Sequence, residues 1–196
     1  WTPDPTTNFG DDRWYNYSVS VNVEFAPSET KSANYAGAGL RYIQGHAGAS
    51  GYWLKLTESG DWSLWENSDV LLSGTTGADT SKPVNLKIEA VRNTVRGWIN
   101  GEQVCEYTAE GSSLGAGRAA FFSSYDRNSF DDLVIAPAEG VDTYITRVDN
   151  TDMAFNYSGD WEHNTMSSFK NYKRTLSSGT AGCSFTVDFD GTGIAL

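Results

Sequence analysis

Apolar and polar residues alternate one by one along the first two thirds of the chain. Over 17–25, Val19, Val21 and Val23 interleave with Ser18, Ser20, Asn22 and Glu24. Over 84–91, Val84, Leu86, Ile88 and Ala90 interleave with Asn85, Lys87 and Glu89. A period of two sends successive side chains to opposite faces, so these segments predict half-buried strands. The same reading predicts strands over 36–43, 52–57, 62–67, 94–100, 102–108, 118–123 and 130–136. Gly-Asp, Gly-Ala-Ser-Gly, Arg-Asn and Asn-Gly stand between them, the chemistry of hairpin corners. Helix signals are nearly absent, and the longest candidate, 167–176, lacks apolar residues at i, i+3 and i+4. Many short strands at this spacing predict an all-β, two-sheet jelly-roll sandwich.

The pattern breaks at APAEGVD, 136–142, where Pro137 and Gly140 read as a linker or tight crossing. The division predicted from it is a sandwich over 1–137 and a second β-rich module over 138–196. The second module is more polar, with strands expected around 183–189 and 192–196. A stretch of about 55 mostly polar residues buries little core by itself. It is expected to be the opening half of a second β-sandwich, truncated by the end of the chain. With Trp1 first and no leader peptide, the chain reads as a piece of something longer, which leaves its destination unspecified.

Composition narrows the partners. The net charge of −11 repels nucleic acid and anionic lipid surfaces, which bind proteins through released counterions and basic patches. A cation or a neutral ligand suits that balance better. No run approaches the ~20 apolar residues of a membrane-spanning helix. Cys105 and Cys183 fall in different predicted modules, so no disulfide framework is expected.

Candidate catalytic groups are sparse. The acid pairs are Asp11–Asp12, Asp131–Asp132 and Asp188–Asp190, and neighbouring carboxylates on one strand face opposite ways. A glycosidase needs two carboxylates facing each other across a cleft. His46 and His163 lack the spacing of a zinc motif, and no nucleophile or phosphate-loop signature is present. The expectation is that this chain carries no active site. A calcium site is the stronger candidate, because a sandwich that brings its first and last strands together could gather Asp11 or Asp12 with Asp131. The plain alternative is that these are solvated turn acids.

Aromatic residues make up 13% of the chain, including seven Trp and ten Tyr, more than one core of this size needs. Over 52–57, Tyr52, Leu54 and Leu56 share one face, and Trp53 shares the other with Lys55 and Thr57. Over 94–99, Val95 and Ile99 face inward and leave Thr94, Arg96 and Trp98 outward. Indoles beside cationic side chains suit a pyranose ring, whose C–H face stacks on aromatics while its hydroxyls seek polar partners. Trp53, Arg96 and Trp98, or Tyr125 and Arg127 in the YDRN loop, are therefore the candidate carbohydrate-binding residues. Packing against a neighbouring module is the other explanation for each of these aromatics.

Several segments in order carry a family resemblance: GDDRWYNYSVSVNVEF at 10–25, AGLRYI at 38–43, GYWLKL at 51–56, GDWSLW at 60–65, VNLKIEAVRNTVRGWINGEQV at 84–104, GRAAFFSS at 117–124 and SFDDLVI at 129–135. Together they resemble the lectin-type domain of the galactocerebrosidase family of glycoside hydrolases, a laminin-G or concanavalin-like jelly roll. The resemblance covers 9–137. YSGDW at 157–161 and FDGTGIAL at 189–196 resemble the start of a jelly-roll module of secreted glycosidases. The resemblance implies a structural Ca2+ near the domain termini, with Asp131 at the family's aspartate, Asp11 in its N-terminal acidic turn, and Asp132 where the family has Asn. It also implies a catalytic barrel elsewhere in the parent enzyme, a β-galactoside substrate for that enzyme and an extracellular setting.

Two functions follow as expectations. The first is a non-catalytic accessory domain that binds polysaccharide or oligosaccharide, with β-galactose-containing glycans implied by kinship. The second is a structural sandwich that packs on the catalytic domain of the parent enzyme and binds no free sugar. Neither involves nucleic acid or a membrane span.

Overall fold

The computed structural model describes residues 6–43, 50–110, 115–144, 155–165, 173–177 and 181–187. The chain divides into two compact units, Trp1–Ile145 and Thr146–Leu196. Within the first, antiparallel strands form two sheets. One is β1 (Thr6–Phe9), β10 (Arg118–Ser123), β3 (Tyr35–Tyr42), β4 (Tyr52–Thr57), β5 (Asp61–Glu66) and β6 (Asp69–Thr75), in that spatial order. The other is β11 (Ser129–Pro137), β2 (Tyr17–Glu24), β7 (Val84–Val91), β8 (Thr94–Ile99) and β9 (Glu102–Thr108). The described residues are all-β, and the sheets form the two-layer sandwich that the alternation predicts.

The inward face of each strand meets the other sheet. Val19, Val21 and Val23 of β2 and Leu86, Ile88 and Ala90 of β7 pack against Ala36, Ala38 and Leu40 of β3 and Leu54 and Leu56 of β4, all fully buried. Each fully buried aliphatic side chain contributes roughly 1.5–3 kcal/mol relative to an exposed one. Arg41 is also buried. Its Nε donates to the Tyr15 carbonyl at 3.0 Å and its Nη2 to the Arg92 carbonyl at 2.6 Å, while its guanidinium lies 3.8 Å from the Tyr15 ring centroid. Burial lowers the arginine pKa, and the carbonyls and ring faces compensate the buried charge. One cation thereby ties the entry to β2 and the β7–β8 turn to β3.

The break at 136–142 is not a linker in the structure. Ala138 N donates to the Asn16 carbonyl, Tyr15 N donates to the Thr143 carbonyl at 2.7 Å, and Trp14 bridges Tyr144. The units therefore divide after 145 rather than at 137. The second unit contains β12 (Phe155–Ser158) paired with β15 (Ser184–Val187), and β13 (Trp161–Thr165) paired with β14 (Lys173–Ser177). The strand expected around 183–189 is thus present as β15, with β12 as its partner. The one expected at 192–196 lies outside the described residues. Tyr157, Trp161 and Phe185 form a small aromatic cluster in this unit.

Candidate functional site

The outer face of the six-stranded sheet is aromatic. On β3, two alternate outward positions are Gly37 and Gly39, and their missing side chains make room for large rings from neighbouring strands. A Cβ on Gly39 would strike the Trp53 ring, and one on Gly37 would strike Phe122. Trp53 fills that space from β4. Phe122 from β10 meets it edge-on at 5.3 Å, and Tyr42 meets it at 5.7 Å. Tyr35, Tyr42 and Trp65 are half-buried around this second small core.

Polar chemistry lies alongside. Lys55, two residues after Trp53 and on the same face, places its Nζ 4.6 Å from the Tyr35 ring centroid and 5.7 Å from that of Trp65. Burial lowers its pKa, and the electron-rich ring faces offset part of the desolvation cost. Trp65 Nε1 donates to Ser63 Oγ at 2.7 Å, which fixes the indole plane. Lys55 and Ser63 line a groove of about 450 Å³ together with Thr57, Asp61, Ser73 and Thr75. The β4–β5 turn is braced from within: Asp61 N donates to Thr57 Oγ1 at 3.0 Å and Ser59 Oγ to Asp61 Oδ2 at 2.7 Å. The result is an apolar ring surface beside a hydroxyl-lined trough, held by three consecutive antiparallel strands, β4, β5 and β6.

The residues singled out from sequence fall in different places. Trp53 is on the predicted face but is 0% exposed, so it is no stacking platform. Phe122, Tyr42 and Trp65 cover it, and its work is packing. Arg96 and Trp98 lie on the outer face of the other sheet, the opposite side of the sandwich. Arg96 Nε is 2.7 Å from Glu106 Oε2 and its Nη1 is 3.8 Å from Glu89, so its fork is engaged in a cross-strand ion-pair ladder. Trp98 is half-buried with Lys87 Nζ 4.7 Å from its ring centroid, a cation–ring pair like that of Lys55 with Tyr35 on the other sheet. Tyr125 and Arg127 are exposed in the β10–β11 loop, Tyr125 at 82%. The structure does not join these five residues into one site.

The residues expected to hold calcium do not fit it. Asp11 accepts from Arg13 Nε at 3.0 Å, Arg13 Nη2 at 2.7 Å and the Arg13 backbone N at 2.9 Å. That guanidinium holds the carboxyl well below the usual range. Asp12 is exposed in the same turn. Asp131 pairs in register with Asn22, and its Oδ1 accepts from Asp132 N at 2.8 Å. Asn22 lies five residues along β2 from Tyr17, about 16 Å at strand rise, whereas Asp11 belongs to the turn that enters β2 at its start. Asp132 sits at a bulge with φ 51° and accepts from Asn22 Nδ2 at 2.9 Å. Among the described residues no three metal-ligating side chains are gathered.

Sequence reasoning missed the groove on β4–β6. Trp65 and Lys55 each carried a signal, since both fall on the face opposite the leucines. Ser63 and Ser73 carried none, because a serine facing outward on a strand is ordinary.

No family model and no curated protein matches the chain. In shape it is similar to a Bacillus subtilis protein of unknown function with a galectin-like fold, at TM-score 0.50 and 14% identity over 67% of this chain and 76% of that chain. The fold is shared. The carbohydrate-binding module CBM66 from Bacillus subtilis overlaps 68% of this chain and 78% of its own at TM-score 0.49 and 13% identity. Sheep galectin-11, solved with glycerol, overlaps 69% and 98% at TM-score 0.48 and 10% identity. At these identities the likeness concerns the galectin-like jelly-roll sandwich alone.

Proposed function

We propose that the sandwich binds carbohydrate without catalysis, on the outer face of its six-stranded sheet. The observation that carries this reading is Lys55, held over Tyr35 and Trp65 at the lip of a trough lined by Thr57, Asp61, Ser63, Ser73 and Thr75. A pyranose ring offers an apolar C–H face and a rim of hydroxyls. The half-buried rings match the first, and the side-chain hydroxyls, the Asp61 carboxylate and the Lys55 ammonium match the second. The trough combines one cation with one carboxylate, and the chain as a whole is acidic, which favours a neutral sugar over an anionic one. The resemblance to the galactocerebrosidase lectin-type domain supports the finer reading: an accessory domain of a secreted glycoside hydrolase, directed at β-galactose-containing glycans. In that setting, tethering to a catalytic domain raises a weak affinity by local concentration.

Affinity electrophoresis in gels containing galactan, arabinogalactan or xylan tests the reading. The folded chain is expected to be retarded in galactan. Trp65→Ala and Lys55→Ala are expected to weaken that retention roughly tenfold each, equivalent to about 1.4 kcal/mol, while Trp98→Ala retains it. A folded chain that no polysaccharide retards would refute the proposal.

A further inference from the structure

Where the edge strands of the two sheets meet, the sandwich has a second cleft, of about 250 Å³. Its floor is a ring pair with one member from each sheet: Phe121 of β10 and Phe130 of β11 stack at 4.4 Å with planes 23° apart. Its rim is the loop that joins those strands, carrying Tyr125 and Asp126. Thr7 of the edge strand β1 closes the other side. This cleft opens at the side of the sandwich. The trough over β4–β6 lies on its outer face, and no residue lines both.

The loop is built to hold its shape. Asn128 Nδ2 donates to Asn34 Oδ1 at 2.8 Å and to the Tyr35 carbonyl at 3.1 Å, and Asn128 Oδ1 accepts from Ala26 N at 2.9 Å. Ser124 Oγ donates to Asp126 Oδ2 at 2.7 Å, and Asp126 and the exposed Tyr125 both line the cleft. Ordering costs met on folding are not charged again on binding, so a rigid rim of this kind favours a ligand. A tyrosine exposed at 82% in the same cleft as the phenylalanine pair does little for the core.

We infer that this edge cleft is a second carbohydrate site, independent of the first, that takes a single neutral pyranose. The ring's C–H face lies on Tyr125 and the Phe121–Phe130 floor, and a vicinal pair of its hydroxyls donates to the Asp126 carboxylate. A carboxylate accepts from two donors side by side, which a vicinal diol supplies and an anionic sugar opposes. Two sites on one sandwich give a polysaccharide two points of attachment and an avidity above either affinity.

The test is a heteronuclear NMR titration of the full chain with methyl β-galactopyranoside, methyl β-glucopyranoside and methyl α-mannopyranoside in turn. Backbone amides over 123–128 are expected to shift saturably with at least one of them. Tyr125→Ala and Asp126→Asn are expected to weaken that response at least tenfold, while responses at Lys55, Ser63 and Ser73 persist. Shifts confined to the β4–β6 trough overturn this inference and leave the proposed function standing. Shifts confined to 123–128 do the reverse. Amides over 123–128 that answer only tetramethylammonium chloride assign a cation cage and overturn it, as do shifts undiminished in Tyr125→Ala.

Discussion

Trp53 and Trp98 show how a residue's role is set by what covers it. Both alternate away from the aliphatic core, and both have a lysine on the same face of the sheet. Phe122 reaches Trp53 from β10, distant in sequence, and Tyr42 from the end of the preceding strand β3, and together they bury it, whereas Trp98 keeps a half-exposed ring under Lys87. Trp53→Ala is therefore expected to destabilise the sandwich by about 3–5 kcal/mol, and Gly39→Ala, which drives a methyl into the same ring, by about 1–3 kcal/mol. Trp98→Ala should leave the melting temperature nearly unchanged. Thermal unfolding of the three variants checks the ordering, and equal losses at Trp53 and Trp98 would contradict it. Cys105 makes a second residue-scale prediction. Burial pushes its thiol from 9.0 up to about 11, partly offset by a hydrogen bond from the Gly97 backbone. A folded pKa above the unfolded one gives stability that is complete below about pH 9 and lost as pH rises toward about 11. Urea midpoints at pH 9.0 and about 11 should fall more for the wild type than for Cys105→Ala. Tyr17, raised further by burial, acts in the same direction at higher pH in both.

Among the elements, β7, β8 and β2 from Val19 onward were the most legible, because each alternates fully buried with more exposed positions. The edge strands β1 and β6 were not predicted. β1 is four residues long, and β6, DVLLSGT, has no fully buried position to impose a period. Without β6 the trough could not be seen, since Ser73 and Thr75 form its far wall. The alternation also put Trp53 on the correct side of β4, but local period says nothing about Phe122, which arrives from β10. The acid pairs misled for a related reason. A bulge at Asp132 re-aims β11, and Arg13 claims Asp11, so each of these carboxylates already has a partner of its own. The melting temperature is accordingly expected to be the same in calcium and in excess chelator. A chelator-induced fall that Asp131→Ala abolishes would restore the metal.

At the scale of the whole molecule, the two outer faces of the sandwich differ in kind. The five-stranded sheet carries a self-satisfied polar ladder, with Asn22, Asn85 and Ser20 hydrogen-bonded to one another and Arg96 bridging Glu89 and Glu106. Those polar groups are engaged with one another, and Trp98 is the aromatic ring that shares their face. On the six-stranded sheet, half-buried rings border a trough, and that asymmetry is the basis for assigning the sugar to this side. The indole N–H resonances of 15N-labelled protein read the two faces separately, because Trp65 and Trp98 lie on opposite sides. On titration with a galactan-derived oligosaccharide, the Trp65 resonance is expected to shift saturably, together with the amides of Lys55, Ser63 and Ser73, while Trp98 stays fixed. A saturable shift at Trp98 with Trp65 unmoved would contradict the assignment.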